Sequence, residues 1–356
     1  MTPLQWLGLV MAGLSTIILI FWLIVAFRVA RTLRAKPTVR RGLDAPLREV
    51  DGRPPRVSTI VPAHNEQRVI DDCARSLRGQ DYPGSLEIIF VLDRCTDDTL
   101  AILQRHAAED DRIVIVENDA CPDDWAGKCN AARLGAERAT GDYLLFTDAD
   151  TGFDPQLVRA SVALAQERGL ALLSLLSDLD YEQRFHIVAQ PVATMNLLRM
   201  YPIERVNQPP DEARPFANGQ FMLFRRDDYD ALGGHAAVRE DLLEDIAFAR
   251  AVQRLGRPGG IFLADGMLRC SMYDRFDAFT LGWKRIFIEA CKRNPKRLRK
   301  NAARVFINGL GVPLLQIAAV VVGAVLWATQ LDPPLGVALL LLAGSGAVAQ
   351  LLVLGW

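Results

Sequence analysis

Two aspartates, Asp148 and Asp150, stand one residue apart at the end of the apolar run LLFTDADT, residues 144–151. Two readings fit them. Asp favours turns because its side chain bonds its own backbone, so the pair could simply close a strand. The other reading is a pair of carboxylates placed to hold a hard divalent cation, which takes oxygen ligands, beside a phosphorylated substrate. Other ionisable residues stand in comparable places. Glu66 ends PAHNE, and Asp93 lies in VLDRCTDD. Lys128 follows Gly127 at a predicted helix start, where backbone N–H groups and the helix dipole favour phosphate; a solvated surface lysine is the other reading. Glu244 and Asp245 open the predicted helix of LLEDIAFARAV. A carboxylate there could take the proton from a hydroxyl acceptor, or the two could be ordinary helix-terminal acids.

The elements that must position these residues alternate along the chain. Predicted strands are VSTIV (57–61), LEIIFVL (86–92), RIVIVE (112–117) and YLLFTD (143–148). Predicted helices are 65–77 with Asn65 as cap, 96–107 with Thr96 as cap, and 128–140, stopped by Gly141. Strand–helix repeats of this length predict a mostly parallel α/β sheet with helices on both faces. Ligands of such sheets bind beyond the carboxyl ends of the strands, and Glu66, Asp93, Asp148 and Asp150 all fall at that edge. Asp97 and Asp98 read as helix-terminal acids. FANGQFML (216–223) predicts a further strand, with Gly219 inside it permitting a close backbone approach.

Composition adds a membrane. The chain has 356 residues and a net charge of −1, but its charge is segregated. Residues 4–27 carry no charge, and 305–330 and 335–356 are two more uncharged runs separated by LDPP. About 20 apolar residues cross a bilayer, so three transmembrane helices are expected, the first an anchor rather than a cleaved signal peptide. Arg28, Arg31, Arg34, Lys36, Arg40 and Arg41 follow the first run without an acid among them. Nine basic residues from Lys284 to Arg304, against Glu289 alone, precede the second. Positive charge beside spans stays on the cytoplasmic side, which places residues 28–304 in the cytoplasm. Anionic membrane lipids, not nucleic acid, are the expected partners of these clusters. Six cysteines form no C-x-x-C pair and do not cluster with the four histidines. No zinc site is therefore expected, and the thiols should be reduced.

In order and spacing, VSTIVPAHNE, VLDRCTDDT, WAGKCNAARLGAERATGDYLLFTDAD and LLEDIAFARAVQRLG resemble family 2 glycosyltransferases of GT-A fold. The flanking spans, WAGK at 125–128 and RCSMYDRF…GWKRIFIEA resemble its membrane-anchored branch, which includes hopanoid-associated, carotenoid and ceramide glycosyltransferases. The resemblance implies a nucleotide-sugar donor, a manganese or magnesium ion, inversion at the anomeric carbon, and a membrane lipid acceptor in a bacterial inner membrane. It implies Pro62, Ala63, Glu66, Asp93, Lys128 and Asp148 at the nucleotide sugar, Asp150 with Asp148 at the metal, and Asp245, with Glu244 as second choice, as base. Gly219, Gln220, Trp283 and Arg285 are expected on the acceptor side. The corresponding division is a first span (1–27), a basic linker (28–55), a GT-A domain (56–270), a basic amphipathic interfacial segment (271–304), and spans at 305–330 and 335–356. The Q/R-x-x-R-W signature of many processive and ceramide-type members is missing; TLGWKRIF stands nearest. That departure, with only three spans, argues against a processive synthase. Transfer to a polyprenyl phosphate is the alternative, and a non-catalytic nucleotide-sugar-binding membrane protein is a further one.

Overall fold

The structure, a computed structural model, describes residues 1–34, 37–179, 183–241, 243–271, 273 and 275–354. Lys36 of the first basic cluster, Leu242 and Asp274 of the quoted motifs, and Trp356 lie outside the described residues. The chain divides into two compact units, one of Pro37–Ile187 and Leu198–Trp283, the other of Met1–Lys36, Val188–Leu197 and Lys284–Trp356.

The first unit is built on ten strands among the described residues: β1 (Val57–Ala63), β2 (Leu86–Asp93), β3 (Ile113–Asn118), β4 (Tyr143–Thr147), β5 (Thr151–Phe153), β6 (Leu172–Leu176), β7 (Asp178–Leu179), β8 (Phe221–Arg225), β9 (Gly259–Leu263) and β10 (Leu268–Cys270). Seven form one sheet in the order β3-β2-β1-β4-β8-β6-β9. Its β3–β2, β2–β1, β1–β4 and β6–β9 pairings are parallel, and β8 runs antiparallel to both β4 and β6. A small sheet, β5-β10-β7, flanks it.

Strands buried on both faces read as continuous apolar runs, and the side chains sort accordingly. Ile88, Phe90 and Leu92 of β2 join Leu145 of β4 and Leu223 of β8 in a core under the helices Ile70–Arg78, Thr99–Glu109 and Leu157–Arg168. The alternate residues Ile89, Val91, Leu144, Phe146, Met222 and Phe224 face the helices Gly127–Arg138 and Glu244–Arg254. Phe90, Phe221, Phe224 and Phe248 are among the largest fully buried side chains, each worth about 1.5–3 kcal/mol of burial.

Local details correct several expectations. The helix expected from Asn65 begins at Ile70. Asn65 instead has φ 59° and its side chain accepts from the Thr96 N–H at 2.8 Å, joining two loops of the edge. Thr96 is likewise no cap. The next helix starts at Thr99, whose N–H is bonded by Asp97 Oδ1 at 3.1 Å, so the helix-terminal reading of Asp97 holds. β8 starts at Phe221, which leaves Gly219 in the turn before it. Residues 37–55 are not a free linker, because Val39 is fully buried in the first core and its N–H bonds Leu263 O at 3.0 Å.

The second unit contains three helices long and apolar enough to cross a membrane, Pro3–Arg31, Pro295–Ala328 and Pro333–Val353. The second of these starts inside the expected basic segment, at Pro295, capped by Asn294. It passes through a wider turn at Ile307–Gly311 into Val312–Ala328. The third starts at Pro333, where a missing N–H costs nothing, and Asp332 accepts from the Leu335 N–H at 3.2 Å. Met11, Ala319, Leu326, Leu339 and Ala343 pack these helices together, and Trp22, Ala349 and Val353 form a second contact with Met195 against it. Met195 belongs to the helix Arg184–Met200, an element no motif announced. Ile17, Ile24, Phe27, Ile317, Leu341 and Leu352 point outward, exposed, as lipid-facing side chains do.

Candidate active site

The carboxyl edge of β1, β2 and β4 gathers the acids that the sequence places there. Asp148 and Asp150 lie in the short loop between β4 and β5. That loop is held by its threonines: Thr151 Oγ1 donates to Asp148 O at 2.7 Å, and Thr147 Oγ1 donates to Gln220 O at 2.7 Å. The Ser271 N–H bonds Asp150 O at 3.1 Å. With the backbone fixed, the carboxylates are displayed rather than used up in a turn. Asp150 Oδ1 is buried and has no hydrogen-bond partner. Burial, reinforced by the charge of Asp148, pushes the Asp150 carboxyl up to about 7. Burial, with Asp148 and Asp97 nearby, also raises Glu66.

Lys128 joins two parts of the site. Its Nζ lies 2.7 Å from Asp148 Oδ1 and 2.8 Å from Glu244 Oε1. Burial works against its charge, but the two carboxylates outweigh it and hold the ammonium well above its ordinary range. Glu244 is buried, which would raise its carboxyl, yet Lys128 more than compensates and keeps it below the ordinary range. Glu244 is therefore an ionised partner of Lys128. Asp245 differs. Its Oδ2 accepts from the Gly219 N–H at 3.0 Å and its Oδ1 from the Ile246 N–H at 2.7 Å. Burial, then the charge of Glu244, pushes it up to about 7. A Cβ at position 219 would lie 3.3 Å from Lys128 Nζ and 3.5 Å from both Asp245 Oδ2 and Glu244 Oε1. The close backbone approach expected of Gly219 is thus present, in a turn instead of a strand.

Other expected site residues have structural partners. Pro62 and Ala63 are the last residues of β1, paired with Val91 and Leu92. Gln220 is fully engaged: its Oε1 accepts from Ser177 Oγ at 2.5 Å and Asn218 Nδ2 at 2.9 Å, and its Nε2 donates to Cys270 Sγ at 3.0 Å. It ties β8 to the small sheet. Trp283 is buried, not laid on an outer helix face; it packs on Phe279 at 6.1 Å, which in turn meets Tyr273, Phe276 and Phe185. Arg285 belongs to the other compact unit.

Asp93 is buried at the end of β2, and its carboxylate is grasped by Arg94 and by Asn118 Nδ2 at 2.8 Å. Neither partner stood out in the motifs. Asn118 ends β3, so the rule that picks out Asp93 also reaches it. None of the six cysteines is joined in a disulfide. Among the described residues no three or more His, Cys, Asp or Glu side chains group to hold a metal. A cation here would rest on Asp150 and Asp148 alone, with the remaining ligands supplied by phosphate oxygens, as magnesium-type sites commonly are. The unpartnered Asp150 Oδ1 fits that use.

A mixed sheet that presents a D-x-D loop, a lysine at a helix start and an acidic helix terminus along one edge has the architecture of a GT-A glycosyltransferase. The Glycosyl transferase family 2 profile matches residues 58–233, and this stretch of the chain belongs to that family. A 4,4'-diaponeurosporenoate glycosyltransferase of Staphylococcus haemolyticus is 26% identical over 250 residues, covering 67% of this chain and 63% of its own length. Its counterpart from Staphylococcus aureus is 26% identical over 235 residues, covering 64% of this chain and 59% of its own. The chain therefore spans less than two thirds of these relatives. A mannosyltransferase from Pyrobaculum calidifontis, solved with GDP-Man and Mn2+, shares the fold with a TM-score of 0.53 at 19% identity, over 95% of this chain and 99% of that one.

Proposed function

We propose that the protein transfers a sugar from a nucleotide diphosphate sugar to a hydroxyl-bearing membrane lipid, with inversion, at the cytoplasmic face of a bacterial inner membrane. The observation that carries this reading is the bridge Asp148–Lys128–Glu244, with Asp245 beside it. One ammonium ties the D-x-D loop to the helix that bears the candidate base. Lys128 would face the diphosphate and Asp93 the nucleobase, with Glu66 nearer the ribose. Asp150 and Asp148 would hold manganese or magnesium. Such an ion supplies Lewis acidity to the leaving diphosphate. Asp245, up to about 7, is matched to accept a proton near neutral pH. Gly219 N–H and Ile246 N–H fix its orientation. The basic residues that follow the first candidate span and those that precede the second support the cytoplasmic orientation.

A second reading is favoured by the relatives' name, which denotes transfer to a carotenoid acid. A carboxylate acceptor is already ionised and needs no base. Both readings share one test. Membranes bearing the full chain are incubated with labelled nucleotide sugars and Mn2+, and the lipid extract is examined by mass spectrometry. A new glycolipid with the inverted linkage is expected; release of free sugar alone, or no turnover with any donor, would defeat the proposal. Base lability of the new linkage separates an ester from a glycoside.

A further inference from the structure

Asp150 is held by more than its own loop. Its carboxyl is hydrogen-bonded by the thiol of Cys270, the last residue of β10, which pairs in register with Thr151 of β5. Cys270 Sγ in turn accepts from Gln220 Nε2 at 3.0 Å. Gln220 and Cys270 are both buried. The other end of the Gln220 amide is fixed as well. Its Oε1 accepts from Ser177 Oγ at 2.5 Å, in the link between β6 and β7, and from Asn218 Nδ2 at 2.9 Å. Asn218 is itself anchored to β6, where its Nδ2 donates to Leu175 O at 2.9 Å and its N–H to Ser174 Oγ at 2.8 Å.

An amide oxygen has two lone pairs, and here both are taken; its nitrogen has two N–H groups, and one points at sulfur. A buried network satisfied in this way is rigid. It also gives the thiol a direction: with Sγ accepting from Gln220, the S–H donates to the Asp150 carboxyl. The Gln220 main chain reaches the same loop by a second route. Its carbonyl accepts from Thr147 Oγ1 at 2.7 Å, and Thr147 Oγ1 lies 2.9 Å from Thr151 Oγ1. One residue earlier, the Gly219 N–H holds Asp245 Oδ2 at 3.0 Å. Two consecutive residues of one turn thus support Asp150 and Asp245.

Resting on the reading above in which Asp150 holds a metal ion, we infer that Gln220 is a positioning residue: through the Cys270 thiol it aims the Asp150 carboxylate, and it keeps that carboxylate in register with Asp245, which the neighbouring Gly219 holds. The test is Mn2+ binding to the purified full chain in the presence of UDP or GDP, by calorimetry. The proteins are the wild type, Gln220→Met, Cys270→Ala, Cys270→Ser and the double variant Gln220→Met/Cys270→Ala. Methionine keeps the length of glutamine without its amide. Gln220→Met and Cys270→Ala should each weaken Mn2+ about tenfold, the usual scale for groups that orient a metal-holding side chain. Cys270→Ser, whose hydroxyl still accepts and donates, should stay within about threefold of the wild type. Because the two side chains act in series, the double variant should bind no more than about twofold more weakly than either single one. Additive weakening in the double variant would overturn the inference. So would wild-type Mn2+ affinity in Gln220→Met with only its thermal unfolding lowered, which would confine Gln220 to bracing β8 against the small sheet. If Gln220→Met does not fold, wild-type Mn2+ affinity in Cys270→Ala overturns it instead. In all these cases the metal reading stands. A wild type that binds no Mn2+ with either nucleotide defeats the metal reading itself and takes the inference with it.

Discussion

The two halves of the candidate site are built by different means. On the side we read as donor-binding, Asp93 and the Asp148–Asp150 loop follow β2 and β4, which run parallel with β1 in unbroken register. Each carboxylate is placed by the strand before it. On the side we read as acceptor-binding, Asp245 opens a helix, and its orientation depends on the N–H of Gly219, which lies 26 residues earlier in a turn before an antiparallel strand. The first arrangement follows from parallel topology; the second needs a contact between distant segments. Lys128 bonds across both, to Asp148 and to Glu244. The difference teaches that the donor half should tolerate changes in the acceptor half, but not the reverse if Lys128 transmits them.

The largest effect should come from Asp150→Ala. Its carboxylate has a buried oxygen left without a hydrogen-bond partner, and removing a group that stabilises departing charge costs about 3 kcal/mol or more of barrier. Turnover should fall at least roughly 100-fold, with thermal unfolding little changed, and excess chelator should reproduce the loss in the wild type. Full turnover in chelator would break the donor half of the comparison.

Asp245→Asn ranks next. The amide keeps the shape but accepts no proton at neutral pH, so kcat should fall roughly 100-fold while KM for the donor stays within a factor of about two. Because the Asp245 carboxyl is raised to about 7, it holds its proton below that pH. The wild-type rate should therefore rise as pH increases through about 7, and the variant's profile should lose that limb. Retained activity in Asp245→Asn would point to an acceptor that is already ionised, such as the carboxylate of a carotenoid acid.

Lys128→Met tests the bridge. It removes the cation shared by Asp148 and Glu244 and leaves Glu244 buried without its counter-charge. A fully buried pair broken this way costs about 3–5 kcal/mol. The Lys128 side chain is 44% exposed, so solvent screening reduces the expected loss to about 1–2 kcal/mol, visible as a lower Tm. Donor affinity should drop about tenfold, the scale of one charge-assisted hydrogen bond. A drop in stability without a change in donor affinity would confine Lys128 to holding the two halves together.

The same contrast explains what was legible in the sequence. The parallel half was readable because β1, β2, β3 and β4 are short apolar runs that end in polar residues, so Asp93 and Asp148 fall at the edge by topology alone. The three helices long and apolar enough to cross a membrane were readable from uncharged length. The caps were not: Asn65 and Thr96 are typical cap residues, yet they bond each other across two loops, and local propensity does not register a contact between segments. Arg94 was missed for a related reason. Its significance lies in the carboxylate it clasps, which an arginine in a loop does not announce. The helix Arg184–Met200 carries Pro191 inside it, an internal breaker that hides a helix from any reading by propensity. Trp283 and Gln220 show what residue type alone does not convey: both suit a ligand contact, and in the structure the protein's own aromatic rings and loop hydrogen bonds also engage them.

Glu244→Gln should have the smallest effect, and it separates the two neighbouring acids. The amide Oε1 can still accept from Lys128 Nζ, so the bridge keeps one hydrogen bond and loses only its charge. Asp245 then loses the negative neighbour that helps raise its carboxyl. Its proton is given up more readily, and the acid limb of the rate profile should move to lower pH. At pH 7.5, where the wild-type base is already mostly ionised, kcat should change by less than about threefold, because a somewhat weaker base is offset by a larger ionised fraction. Lys128, with one carboxylate left, should bind the donor diphosphate no less tightly. The pH profile of kcat and the donor KM, taken together, check this. A loss of 100-fold in Glu244→Gln, with Asp245→Asn active, would transfer the base to Glu244. It would also make the low carboxyl range that Lys128 imposes on Glu244 a property of the donor-free enzyme alone, relieved when the diphosphate draws the ammonium away.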